Sequence, residues 1–194
     1  MKSFTLVEML ITLAIIGILS AAIFALPNYT RQEYDLINTA QRVAGDIQRT
    51  QGLALATATF KGNAAEGGWG IYIEPTLAQP CYVIFQDVTK DHSYNGPIGA
   101  DLCDQTKTGL EISERLYLPP NVRFDPLTYT GGTGSLTLVF VPPHPDTFLN
   151  GNVADWVSNV KASSIADTIS IVLRLSSGET KSIKVNALGI VEVQ

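Results

Sequence analysis

The sequence predicts an α+β fold in which one long N-terminal helix packs on an antiparallel β-sheet. Three observations predict it. Residues 4–26 form an apolar run broken only by small polar side chains and one carboxylate, Glu8. Beyond Pro27 the apolar residues recur at helical spacing. From Trp69 onward, short β-rich runs alternate with turn residues.

The apolar run comes first. As a helix its 23 residues extend about 34 Å, enough to cross the roughly 30 Å hydrocarbon core of a bilayer. Lys2 supplies the cytoplasmic positive charge, which places everything after the run on the exported side. A carboxylate inside such a span costs roughly 2.5 to 3.5 kcal/mol on insertion scales. Glu8 therefore needs a partner, and no neighbouring residue of the chain supplies one. A plain signal anchor is the alternative reading. A cleaved secretory signal is disfavoured, because Ala25-Leu26-Pro27-Asn28 lacks the small-residue cleavage pattern.

The second half of the helix is amphipathic. Leu36, Ala40, Val43, Ile47 and Ala54 recur at spacings of three, four or seven, while Arg42, Asp46 and Arg49 lie elsewhere around the helix. That stripe predicts a helix running to about Ala58 and laid on a sheet. Gly17 and Pro27 are the candidate points of bending.

The remaining chain predicts strands at 70–74, 82–87, 110–118, 135–141, 168–175, 181–185 and 189–193. Ser176-Ser177-Gly178-Glu179 and Asn186-Ala187-Leu188-Gly189 read as hairpin turns, so the carboxyl end is an antiparallel meander. Pro119-Pro120 and Pro142-Pro143 end strands, since proline cannot donate to a ladder. Trp69, Tyr72, Tyr82 and Phe85 fall on strand runs and read as core residues. Trp156, in the insertion 152–157, reads as a lid on the sheet or as a contact for another subunit.

Phe4-Thr5-Leu6-Val7-Glu8-Met9-Leu10, continuing through Ile11-Thr12-Leu13-Ala14-Ile15-Ile16-Gly17-Ile18-Leu19, resembles the N-terminal segment of type IV prepilins and type II secretion pseudopilins. The resemblance implies a pilin-like fold divided into a leader (1–3), a transmembrane and filament-core helix segment (4–26) and an exported α+β domain (27–194). It implies that a prepilin peptidase cuts between Ser3 and Phe4 and that the new amine of Phe4 is N-methylated. Serine stands where this family usually has glycine before the cut. The resemblance also supplies a partner for Glu8, the N-terminal ammonium of a neighbouring subunit, which satisfies both charges where the dielectric is low. The implied partners are other pilin or pseudopilin subunits, the peptidase, the inner-membrane assembly platform and the membrane itself. The implied location is a single-pass inner-membrane precursor that assembles into a periplasmic pseudopilus or an extracellular pilus.

Looser patterns extend the likeness toward one branch, the H-type minor pseudopilins and the related minor pilins. They are Ile47-Gln48-Arg49-Thr50-Gln51-Gly52-Leu53-Ala54, residues 134–142 with Phe140-Val141-Pro142, and the closing hairpin 169–193.

Charge and composition exclude several classes. The chain has 13 basic and 18 acidic residues, a net charge of −5, or 12 − 18 = −6 once Lys2 leaves with the leader. Such a balance argues against nucleic acid as a partner. Cys81 and Cys103 are the chain's two cysteines; on the exported side they are expected to pair, a closure of about 3 kcal/mol in the chain-entropy model. No cofactor is expected. Catalysis has little basis: His92 and His144 read as solvated loop residues, and no nucleophile-elbow sequence fixes a serine against a base.

The polar run 87–96 offers calcium candidates, Asp87 and Asp91, but Lys90 sits among them and the alternation of an EF-hand loop is missing. The expected function is a non-enzymatic minor pilin or pseudopilin. The alternatives are a major pilin, a DNA-uptake subunit, which predicts a basic patch, and a membrane-anchored enzyme, which predicts a cleft with convergent titratable groups.

Overall fold

A computed structural model of the chain describes residues 5–25, 27–59, 61–62, 66–75, 77, 80–129, 132–142, 146–149, 168–186 and 189–194. Helix α1 spans Leu6–Ala25 and α2 spans Pro27–Leu55. The change of helix falls where proline, lacking an N–H, cannot bond to the preceding turn but suits a helix's first position. Gly17 introduces no such change; it lies inside α1 with open space around it.

The expected membrane segment 4–26 falls on α1, with Phe4 and Leu26 outside the described residues. Among the described residues no helix is long and apolar enough to cross a membrane.

Helix α2 ends earlier than the expected Ala58 because its last turn closes on itself. The Ala58 N–H donates to the Leu53 carbonyl (3.0 Å) and the Thr57 N–H to the Ala54 carbonyl (2.9 Å). This is the Schellman pairing. Thr57 takes the left-handed position with φ of 46°, where glycine is usual, and Leu53 and Ala58 both pack against the core.

Among the described residues eleven strands follow: β1 (Trp69–Ile73), β2 (Cys81–Gln86), β3 (Ile112–Tyr117), β4 (Val122–Phe124), β5 (Leu127–Tyr129), β6 (Gly132–Gly134), β7 (Leu136–Val141), β8 (Asp146–Leu149), β9 (Thr168–Leu175), β10 (Thr180–Asn186) and β11 (Val191–Val193). They form a five-stranded sheet of order β3-β2-β1-β7-β8, a four-stranded sheet of order β11-β10-β9-β4 and the small pair β5-β6. The pairings within the sheets are antiparallel. The seven expected runs are all present with ends shifted by up to two residues. Strands β4, β5, β6 and β8, of three or four residues each, are too short to show an alternation in the sequence.

Both large sheets turn one face to a shared core. The predicted stripe of α2 enters it: Leu36, Ala40, Val43, Ile47 and Ala54 are all buried. They meet Trp69, Ile71, Ile73, Tyr82 and Ile84 from the first sheet and Ile169, Ile171, Leu173, Ile183 and Val185 from the second. Two threonines share the buried face of α2 at little polar cost. Thr39 and Thr50 donate their hydroxyls to the Asp35 and Asp46 carbonyls one turn back, at 2.5 and 2.7 Å.

Strand β9 alternates as a one-sided strand should, whereas β1 and β2 are buried throughout. Their second face is covered by the excursion 87–111, which seals a separate cluster of Tyr72, Val83, Phe85, Tyr94, Leu102 and Val139. Tyr94 stacks on Tyr72 (4.5 Å between centroids) and meets Phe85 edge-on (5.2 Å). At the entry to β1 the backbones run so close that a Cβ on Gly68 would lie 2.2 Å from the Phe140 carbonyl oxygen.

Candidate functional site

Two regions carry the residues singled out in the sequence. The first is the start of α1. Ser3 and Phe4 lie outside the described residues. Thr5 precedes the helix, and its carbonyl accepts from the Glu8 N–H (3.1 Å) and the Met9 N–H (3.3 Å). The Thr5 hydroxyl lies 3.4 Å from the same Glu8 nitrogen, a side-chain cap of the first turn.

Glu8 stands in that first turn, where a carboxylate is favoured by the unsatisfied N–H groups of the helix start. Its carboxylate makes no ion pair among the described residues. Around it the apolar side chains face outward: Leu6 is 80 % exposed, Leu13 68 % and Ile18 71 %. Thr12 turns its hydroxyl onto the Met9 carbonyl (2.9 Å), so this small polar residue is satisfied within the helix. A helix apolar on every side and left uncovered by its own domain is built to be buried in something else.

The second region is the excursion 87–111. A disulfide joins Cys81, at the start of β2, to Cys103 (Cα–Cα 5.9 Å) and ties the excursion to the sheet it covers. Tyr117 and Arg115 of β3 reinforce the tie, donating to the carbonyls of Cys103 (2.8 Å) and Leu102 (2.7 Å). Glu74 accepts from the Gly99 N–H at 2.9 Å.

The two calcium candidates are occupied in another way. Asp87 is buried, and its carboxylate accepts from the Lys90 N–H (2.7 Å), the His92 N–H (2.8 Å) and the Thr89 hydroxyl (3.2 Å). These donors hold Lys90 and His92 in left-handed conformations, φ of 61° and 58°. Asp91 accepts from the Ser93 N–H (3.0 Å) and the Asn95 amide (2.7 Å). Burial opposes ionisation of Asp91, but the hydrogen bonds from Asn95, Ser93 and Thr89 outweigh it and hold the carboxyl below its ordinary range.

Glu111 is likewise buried and receives the Asn95 N–H at 2.9 Å. Oxygens that collect N–H donors in this way serve as turn caps. Among the described residues no group of three or more His, Cys, Asp or Glu is placed to hold a metal ion.

His92 differs from the solvated loop residue expected. Its ring stacks on Phe148 (3.9 Å), and Nδ1 lies 3.5 Å from the buried Asp87 carboxylate. The partner strand β8 comes from far along the chain, so local sequence gave no sign of this contact. His144 and Trp156 lie outside the described residues. Lys90 pairs with Glu66, whose carboxyl it holds below the ordinary value.

A surface cleft of about 390 Å³ beside β3 is lined by Lys61, Gln105, Thr108, Ile112, Glu114 and Arg115. Its cations hold the local chain: Lys61 reaches the Leu110 carbonyl (3.4 Å) and Arg115 the Leu102 carbonyl. Glu114 pairs with Arg49 at 2.9 Å. This arrangement fastens loop to sheet.

Residues 1–24 match the family model for the prokaryotic N-terminal methylation motif. No curated protein and no solved structure matches the chain.

Proposed function

We propose that the chain is a structural subunit of a type IV pilus or type II secretion pseudopilus, made as a precursor and cut between Ser3 and Phe4 by a prepilin peptidase. The observation that carries this reading is the methylation motif over residues 1–24, together with a helix that leaves its apolar side chains uncovered around one carboxylate. The apolar run 4–26 holds the precursor in the inner membrane, with the α+β domain outside. In the filament, Glu8 pairs with the methylated amine of Phe4 on a neighbouring subunit. Assembly thereby pairs a charge that makes no ion pair among the described residues of the single copy. The chain works without catalysis.

Within that class the minor subunit, near the filament tip, is the preferred position, on the loose likeness to H-type minor pseudopilins and minor pilins. The major subunit is the second reading, and abundance in sheared filaments separates the two.

Mass spectrometry of the mature N-terminus is the test. N-methylated phenylalanine at Phe4 is expected, and an intact Met1 on filament-competent protein overturns the reading. The substitution Glu8→Ala is expected to leave membrane insertion intact and to impair incorporation into filaments. Normal incorporation would refute the charge pairing.

A further inference from the structure

The turn 87–96 contains one residue pair with a chemistry of its own, Asn95-Gly96. Asn95 is exposed, yet it makes three of the bonds that hold the turn. Its N–H donates to the buried Glu111 carboxylate (2.9 Å), and its side-chain amide donates to the Thr89 hydroxyl (2.9 Å) and to Asp91 Oδ2 (2.7 Å). An ionised carboxylate can only accept, and the Asp91 carboxyl is held below its ordinary range. The Asn95 side-chain nitrogen is therefore the end that faces Asp91.

The backbone that follows is unguarded. The Gly96 N–H makes no hydrogen bond among the described residues. With no side chain on residue 96, nothing of its own hinders that nitrogen from reaching Cγ of Asn95. The packing requires glycine here: a Cβ on residue 96 would lie 2.3 Å from the Tyr94 hydroxyl oxygen. That hydroxyl donates to the Pro97 carbonyl (3.2 Å), and the ring stacks on Tyr72 and meets Phe85. The contact that closes the second cluster thus also leaves an asparagine at the surface ahead of an unhindered amide.

We propose that Asn95 is a site of spontaneous deamidation and that its conversion unfastens the excursion 87–111. The Gly96 nitrogen attacks Cγ of Asn95 and gives up its proton to water. The N–Cγ bond forms, the Cγ–Nδ2 bond breaks, and ammonia leaves with a proton taken from water. The cyclic imide then adds water and opens at either carbonyl, to aspartate or to an isoaspartyl linkage. No oxidant or reductant takes part. Either product exchanges the amide donor for a carboxylate, which meets Asp91 with like charge where the amide had donated to it. The isoaspartyl product also adds a methylene to the main chain between Tyr94 and the Pro97 carbonyl that its hydroxyl holds. The reaction involves neither Phe4 nor Glu8, so it goes beyond the reading as a filament subunit, and each can fail without the other.

The test incubates the full-length chain in detergent micelles at mildly alkaline pH. Peptide mass spectrometry follows each asparagine, with electron-based fragmentation to tell isoaspartate from aspartate. Asn95 is expected to convert faster than Asn121 and Asn186, which precede Val122 and Ala187, and to give both products. In the converted fraction, amide exchange across residues 88–95 is expected to quicken roughly tenfold with α2 unchanged, the effect of losing a hydrogen bond to a charged group. Asn95→Asp is expected to show the same quickening without incubation. Asn95→Gln keeps an amide that cyclises slowly, and is expected to retain its initial exchange rates throughout. Conversion of Asn95 no faster than that of Asn121 and Asn186, or unchanged exchange in the converted protein, overturns the proposal.

Discussion

The Tyr82 hydroxyl donates a 2.5 Å hydrogen bond to Asp46 Oδ2, joining α2 to β2 at the edge of the main core. The tyrosine ring is almost wholly buried and meets Phe124 edge-on at 6.1 Å. Burial first, and then the Asp46 carboxylate, push the phenol's titration far above its ordinary range, so the hydroxyl keeps its proton and donates. With the Arg49–Glu114 pair, this polar contact sets the rotation of α2 against the sheet.

Removing that donor tests the joint. Tyr82→Phe keeps the ring and leaves a partly buried carboxylate without its partner, and should cost about 1.5 to 3 kcal/mol, the range for a hydrogen bond to a charged group. Asp46→Asn retains an acceptor and should cost less. Urea unfolding of both variants gives the comparison, and equal losses would show that an uncharged acceptor cannot stand in for the Asp46 carboxylate.

Thr57 offers a gain in stability. It holds a left-handed position at the end of α2, which costs an L residue roughly 1 to 2 kcal/mol and glycine almost nothing. Thr57→Gly is expected to raise stability by about 0.5 to 1 kcal/mol after the extra unfolded-state entropy of glycine is subtracted. A thermal midpoint unchanged or lowered would show that the hydroxyl bond to the Ala56 carbonyl (2.8 Å) outweighs the backbone strain.

The disulfide should govern the excursion more than the main core. Replacing Cys81 and Cys103 together by alanine is expected to cost about 3 kcal/mol. Amide exchange should then quicken in residues 87–111 before it does in α2, because the main core closes without them. Uniform loss of protection across both regions would contradict the division into two clusters.

Acid should loosen the same excursion. The Asp91 carboxyl titrates below its ordinary value of 3.8 in the folded chain. The stability it contributes is therefore fully present above that value and is lost as the pH falls through the lower folded one. The difference in unfolding midpoint between the unsubstituted chain and Asp91→Asn should be constant from pH 5 to 7, by the ordinary carboxylate range, and shrink on further acidification. A difference that grows on acidification would reverse the sign of this linkage.

The amino acid order alone determined the helix stripe, seven of the described strands and the N-terminal motif. Each is a local pattern: a 3.6-residue period, an alternation of two, or a run of apolar residues around Glu8. Leu36, Ala40, Val43, Ile47 and Ala54 could be read as one buried face because a helix aligns them whatever lies opposite. Only the tertiary structure decided that the strands divide between two sheets sharing that face, that Asp87 and Asp91 cap turns, that His92 rests on Phe148, and that Arg123 faces Arg174. Except for the Asp87 and Asp91 caps, which are local, those pairings join residues distant in the chain, and the geometry of hydrogen bonds and packing selects them only when the strands meet.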